Sequence, residues 1–382
     1  MPPVNVVELT DRIPTQDECG CKFPHDKTLR AIFYGDLESA SKQLKEYGAN
    51  PPYAIICDDI TYKLAGETLE KSLHADVFKI NEKYLDEKYW IDFFTNKRYS
   101  TMIGVGGGTI LDITKYISFI CRAAYVAVPT APTNDGIASP MSVIFTKVDG
   151  RKTVKTRSPL IIIVDHDILS SAPLTLIASG IGDALAKITS LKDWELGRDD
   201  LNEPYCRTAE YFLMRAIFKV LESIRCLNGG NGKRLRECVI HLADSLISSG
   251  IAMMILQTSR PAAGSEHLIG RHLELNLGVS HGISSAFGTI IAAKAHELYN
   301  PSWWKEVSLS SSAIFDYCKR SKILSILKKY QIPKNWLVES IVIGKEYRPE
   351  RYTILHKINP TKQMAEELLE ETGLLEELLG RT

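Results

Sequence analysis

The stretch GSEHLIGRHLELNLGVSHG, residues 264–282, sets His267, His272 and His281 among small residues that let backbones approach closely. Imidazoles are common metal ligands, yet they are equally ordinary packing groups, and the chain holds nine histidines. From these residues alone both readings stand. A second feature is GVGGGTILDITK, residues 104–115, placed where an apolar run gives way to a helical period. Three consecutive glycines lack the Cβ atoms that would hold a pyrophosphate away, and the first amides of the helix carry partial positive charge. The spacing is not G-x-G-x-x-G, and tight strand-to-helix packing is the alternative use of such glycines. Upstream, Asp58 closes YAIICD, where a carboxylate can accept bonds from a ribose and repel a 2′-phosphate, favouring NAD over NADP. The same residue type also caps helices. PTAPTND, residues 129–135, gathers small hydroxyls and an acid at a strand end, suited to holding a polyol or to forming an Asx turn. ECGCKFPH brings Cys19, Cys21 and His25 within reach of one ion, but no second cysteine pair matches them.

The elements that must position these residues fall into two kinds. LRAIFYG, YAIICD, ADVFKI, STMIGVG and AYVAVP are short apolar runs separated by helix-period segments. That alternation predicts parallel strands joined by crossover helices, a doubly wound Rossmann-like sheet with ligands at the strand carboxyl ends. MSVIFT and LIIIVD read as strands flanking a turn at VDGRKT. From about residue 172 the pattern is helical throughout. We expect an α/β dinucleotide-binding domain over 1–170 and an all-α metal- and substrate-binding domain over 171–382, with the site in the cleft between them.

The 382-residue chain carries 45% hydrophobic and 24% charged residues, with 46 basic against 46 acidic. This balance provides no global basic field for nucleic acid or an anionic membrane. No apolar run reads as long enough to span a bilayer, and the N-terminal residues lack a basic-then-apolar pattern, so a cytoplasmic location is expected. Eight cysteines without a framework are expected to be free thiols.

Five motifs in order, GGGT-x-x-D-x-x-K, VPTAPTNDGIASP, SGIGDALAK, RPAAGSEH and HG followed by GTI, resemble the iron-type alcohol dehydrogenase and dehydroquinate synthase superfamily. NDGIASP and RPERYTILHKI, residues 348–358, resemble its glycerol-1-phosphate dehydrogenase branch. The resemblance implies a dehydroquinate synthase-like fold. It implies that Asp183, His267 and His281 hold one catalytic divalent metal, with zinc first and iron or nickel as alternatives. It implies that Gly106, Gly107, Gly108 and Thr109 meet the pyrophosphate of NAD(H) or NADP(H), with Asp112 supporting the loop. Thr130, Thr133 and Ser139 would then lie along the nicotinamide half, and Asp135 would meet substrate hydroxyls. A homo-oligomer is also implied.

Two departures bear on the reaction. The dehydrogenase branch places a second histidine four residues after the first, where this chain has Arg271; His272 is one step further and should point away from the His267 face. Arg271 brings a fixed charge that favours a phosphorylated or phosphonate-bearing substrate. After His281 the family continues with a glutamate, replaced here by Ile283, so a carboxylate supporting the metal site is expected to be missing. The expected activity is reduction of a small phosphorylated hydroxyketone, dihydroxyacetone phosphate or an analogue, to the alcohol. The alternatives are a non-redox dehydroquinate synthase-like reaction that uses NAD transiently, and a degenerate binding or scaffold protein.

Overall fold

The computed structural model describes residues 4–9, 12–82, 84–148, 150–227 and 232–380. Seven strands form one sheet: β1 (Asn5–Glu8), β2 (Ala31–Tyr34), β3 (Tyr53–Cys57), β4 (Asp76–Lys79), β5 (Thr101–Gly106), β6 (Ala124–Pro129) and β9 (Ile161–Val164), in the spatial order β1-β2-β9-β6-β5-β3-β4. All neighbours are parallel except β1, an antiparallel edge strand on β2 that the apolar runs did not announce. Successive side chains of a strand point to opposite faces, and here both faces are buried. Ile162 and Val164 of β9 enter the core shared with the helical half, while Ile161 and Ile163 face a second core with Leu37, Leu44 and Leu69. Such strands read as unbroken apolar runs, which is why they are visible in the sequence.

The reading of residues 141–164 needs correction. MSVIFT is β7 (Met141–Thr146), but its partner is β8 (Gly150–Lys155) in a separate antiparallel hairpin. GRKT, expected as part of a turn, is thus strand. Its side chains are polar and half-exposed, so it lacked the apolar signal of a core strand. LIIIVD instead supplies β9, inserted between β2 and β6.

The site depends on seven helices: α1 (Gly108–Ile120), α2 (Leu174–Leu185), α3 (Lys187–Leu201), α4 (Arg207–Leu227), α5 (Gly232–Leu256), α6 (Ser265–Leu277) and α7 (His281–Tyr299). Beyond β9 every described strand or helix is helical. α4 packs on α5, α6 on α7, and α7 on α2. Two stretches, 174–201 and 235–256, are long and apolar enough by composition to cross a membrane, contrary to the expectation that no such run exists. In each the apolar window is 83% buried within the protein, so its hydrophobicity belongs to the core. Cys226 and Cys238 join α4 to α5 through a disulfide, which corrects the expectation of eight free thiols. The acidic C-terminal tail lays Leu368, Leu369, Leu374 and Leu378 onto the same core.

Candidate active site

β5 ends at Gly106, paired with Pro129 of β6, and α1 begins two residues later. Gly107 occupies the N-cap position, and a Cβ built there would meet nothing within 4 Å, because the residue faces open space. A Cβ on Gly108 would instead press to 2.8 Å from the Asn134 side chain. The loop therefore presents bare backbone and helix-terminal amides to whatever lies above the strand ends, a surface suited to a pyrophosphate. Asp112, one turn into α1, accepts from the Val143 amide at 3.0 Å and from Lys115 Nζ at 3.2 Å. Lys115 is fully buried and also donates to the carbonyls of Gly136 and Met141, each at 2.7 Å. This buried pair ties α1 to the segment 134–143.

Asp183, on α2, is completely buried. Its Oδ1 lies 3.3 Å from His267 Nε2 and 3.9 Å from His281 Nε2, and the two rings are 5.1 Å apart between centroids. The approach depends on the turn between α6 and α7. Gly278 ends α6 with φ +66°, a left-handed conformation that glycine adopts without strain. The chain reverses there and starts α7 at His281, beside His267 in the first turn of α6.

Each imidazole is held by a carboxylate on its other nitrogen. His267 Nδ1 is 2.7 Å from Glu266 Oε1, and His281 Nδ1 is 3.3 Å from Glu274 Oε2. With Nδ1 engaged, both Nε2 atoms are turned toward Asp183. Glu266 is fixed in turn by the Gly264 amide at 2.6 Å and the Thr189 hydroxyl at 2.8 Å. The expectation that the support was lost with the glutamate after His281 is thereby corrected: Glu274, two helical turns beyond His267 on the same face of α6, supplies it.

Lys187 lies one turn beyond Asp183 in sequence and is fully buried. Its Nζ contacts Asp183 Oδ1 at 3.1 Å and Asp135 Oδ2 at 2.8 Å. Burial works to raise the Asp183 carboxyl, but the Lys187 charge and the His267 hydrogen bond outweigh it and hold it well below the usual carboxylate range. Burial likewise opposes charge on His267, yet Asp183 and Glu266 lift it to about 9. Glu274 resists the same desolvation, and His281 with Arg151 and Arg271 brings it down to about 2. The donor set is thus two carboxylate-braced imidazoles and one ionised carboxylate, whose ligand atoms all lie within 4.8 Å of one another. This is a fitting cage for a divalent ion with a position left open.

Above the three residues is a cavity of about 350 Å³. Gly108, Thr109, Asp112, Asp135 and Ser139 line it from the sheet side, and His267, Arg271 and His281 from the helical side. Arg151, from β8, and Arg348 stand with Arg271 on the wall, and a fourth guanidinium, Arg351, is taken up by the Ser259 and Ala263 carbonyls. Arg151 is 9% exposed and reaches Glu274 at 3.1 Å, while its Nε and Nη1 are buried and without a hydrogen-bond partner among the described residues. Burial and the adjacent Arg151 charge lower the Arg271 pKa from its ordinary value.

Of the residues singled out from the sequence, Gly106, Gly107, Thr130 and Thr133 stand at the ends of β5 and β6, beside this cavity rather than on its wall. Asp58 follows β3 at the level of Gly106, and its Oδ1 caps the next helix through the Thr61 amide at 2.7 Å. Asp135 is less free than a polyol ligand would need to be, since Oδ2 is engaged by Lys187 and by the Ser249 hydroxyl at 2.9 Å. His272 points away, as its helical phase requires, and lies against Trp336 with centroids 5.0 Å apart and the ring planes tilted by 32°. Sequence reasoning missed Glu266, Glu274, Lys187, Arg151 and Arg348. The first three carried a signal, namely adjacency or helical spacing to a residue already chosen.

Residues 32–173 match the model of the iron-containing alcohol dehydrogenase family. The chain is 33% identical over 351 residues to the glycerol-1-phosphate dehydrogenase [NAD(P)+] of Sulfolobus acidocaldarius, covering 90% of this chain and 95% of that one. It is 29% identical to the enzyme of the same name from Pyrococcus abyssi, covering 93% and 99%. Among solved structures, maleylacetate reductase from Agrobacterium tumefaciens superposes with a TM-score of 0.71 at 14% identity over 92% of this chain and 97% of that one. Glycerol dehydrogenase from Schizosaccharomyces pombe gives 0.69 at 18% identity over 92% and 91%. These two likenesses concern the fold, whereas the sequence relatives extend over nearly the whole chain. The protein belongs to the iron-containing alcohol dehydrogenase family, and within it to the group of the glycerol-1-phosphate dehydrogenases.

Proposed function

We propose that the protein reduces a small phosphorylated hydroxyketone, dihydroxyacetone phosphate or a close analogue, to the corresponding alcohol at the expense of NADH or NADPH. It is an NAD(P)-dependent dehydrogenase acting on a CH–OH group, as its family membership establishes. The observation that carries the substrate class is the wall of Arg151, Arg271 and Arg348 in the cavity that His267 and His281 also line. Guanidinium forks are matched to the oxygens of a phosphate, and Nε and Nη1 of Arg151 lack protein partners among the described residues.

When bound, a divalent cation supplies Lewis acidity toward a carbonyl oxygen, and the nicotinamide supplies the hydride. The protein's own residues do the rest. Glu266 and Glu274 fix the ring orientations of His267 and His281. Lys187 keeps Asp183 ionised and holds Asp135 beside it. The bare backbone at Gly107 and Gly108 receives the pyrophosphate, and the arginine wall anchors the far end of the substrate. We assign zinc to the metal position, on two imidazoles and a carboxylate; iron and nickel accept the same donors. A homo-oligomeric state belongs to this reading on the family resemblance.

The test is oxidation of NADH with dihydroxyacetone phosphate, dihydroxyacetone and three-carbon phosphonates in parallel. A strong preference in kcat/KM for the phosphorylated or phosphonate ketones is expected. Equal use of the uncharged ketone would overturn the assignment of the arginines, and product formation without net NADH consumption would overturn the redox reading.

A further inference from the structure

Away from this cavity, Cys19, Cys21 and His25 meet Cys206, the residue just before α4. Cys19 ends the short helix Gln16–Cys19, and Gly20, in a left-handed conformation, turns the chain so that Cys21 follows on the same side. Cys21 Sγ is 3.1 Å from His25 Nε2. Cys206 Sγ is 3.3 Å from that nitrogen and 3.7 Å from Cys19 Sγ. The four ligand atoms all lie within 4.8 Å of one another.

These separations fit one chemistry. Zinc bonds of about 2.3 Å to sulfur and about 2.0 Å to nitrogen, at tetrahedral angles, set sulfurs about 3.8 Å apart and sulfur from nitrogen about 3.5 Å. A disulfide needs sulfurs about 2.0 Å apart, far closer than Cys19 and Cys206 stand. The surroundings agree. His25 Nδ1 lies 2.7 Å from the Pro14 carbonyl, which can only accept, so Nδ1 carries the proton and Nε2 offers its lone pair to the sulfurs. The Thr208 hydroxyl donates to Cys19 Sγ at 3.1 Å and the Phe23 amide to Cys21 Sγ at 3.4 Å. Cys206 sits at the amino end of α4, a helix of 21 residues; burial raises its thiol, and the charge of a bound ion would offset that desolvation.

We propose that Cys19, Cys21, His25 and Cys206 bind a zinc ion, a structural site separate from the centre at Asp183, His267 and His281. Three thiolates select zinc over oxygen-preferring cations. Four protein ligands leave no place for substrate, so the ion does no chemistry. Its effect is mechanical: it fastens the segment 14–25, which precedes β2, to the helical half of the protein. The thiol protons pass to solvent as the ion binds. The C-x-C-x-x-x-H spacing was incomplete in the sequence because its fourth ligand lies 181 residues from His25.

Two measurements test the site. In the first, the full-length protein is loaded with cobalt(II). About two ions per chain are expected, with a thiolate-to-cobalt charge-transfer band that the Asp183, His267 and His281 centre cannot give, having no sulfur. His267→Ala with His281→Ala should keep the band at about one ion per chain, and Cys21→Ser should remove it. In the second, the unaltered zinc-loaded protein is alkylated under native conditions and mapped by mass spectrometry. Cys19, Cys21 and Cys206 should resist modification until a chelator removes the metal. The second measurement needs no variant, so a Cys21→Ser chain that fails to fold does not shelter the proposal. It is overturned by one ion per chain without a sulfur band, by alkylation rates indifferent to metal, or by a Cys19–Cys206 disulfide in protein kept reduced.

Discussion

Glu274 Oε2 lies 3.3 Å from Nδ1 of His281, the residue seven positions further along the chain and on the next helix. A carboxylate in this position fixes the ring and strengthens the nitrogen that faces the ion. Glu274→Gln keeps the shape and removes the charge. We expect metal affinity to fall about 10- to 100-fold, read by competition with a chromophoric chelator. Unchanged affinity would show that the carboxylate does not support the site.

The arginine wall predicts a selective loss. Removing one charged hydrogen-bonding group costs about 1.5–3 kcal/mol, or about 10- to 160-fold in kcat/KM. Arg151→Met should cost this much with a phosphorylated ketone and far less with dihydroxyacetone. Arg271→His restores the residue type usual in the dehydrogenase branch and should move preference toward dihydroxyacetone phosphate against phosphonate analogues. An unaltered substrate ranking would remove Arg271 from recognition.

Gly107 makes a prediction about the nucleotide alone. Its Cβ would project into open space, so the folded protein tolerates Gly107→Ala. The methyl group would stand where a pyrophosphate must approach, and we expect the KM for NADH to rise about tenfold, equivalent to about 1.4 kcal/mol of binding, with the melting temperature nearly unchanged. A normal KM would place the cofactor elsewhere.

Asp193 tests the helical core. It is fully buried and accepts from the Ser265 amide and hydroxyl, each at 2.6 Å, and from the Ile354 amide at 2.6 Å, with His296 Nε2 at 3.2 Å. Burial works to raise its pKa, and His296 with these donors overcomes that and lowers it. A carboxyl with a depressed folded pKa stabilises fully above its unfolded pKa of about 3.9 and loses that contribution as pH falls through the lower folded value. Replacing this ionised acceptor by Asp193→Asn should cost about 1.5–3 kcal/mol for each charged hydrogen bond lost. In denaturant titrations the gap between wild type and variant should shrink as pH falls below about 4. A gap that widens on acidification would contradict this.

What was legible in the sequence was what physical periodicity or contiguity encodes. The core strands were visible because both of their faces are buried, and β8 was not, because a half-exposed polar hairpin resembles a turn. Asp183, His267 and His281 each sit in a short motif, and the structure gathers the three. His272 could be set aside from the helical angle alone. Arg151 was not readable as part of the site because it comes from that misread hairpin, whose position over the cavity depends on tertiary packing. Cys206 was invisible for a similar reason: no local pattern links it to residues 19–25. Glu274 was overlooked because the missing glutamate was sought after His281, whereas the fold brings one from the preceding helix.

The contact between Arg151 and Glu274 joins the hairpin on the sheet side to α6 on the helical side. Since Glu274 also steadies His281, one carboxylate stands between the arginine wall and the imidazole that faces the ion. A phosphate that drew on Arg151 would therefore be felt, through that shared carboxylate, at the nitrogen on the far side of the ring.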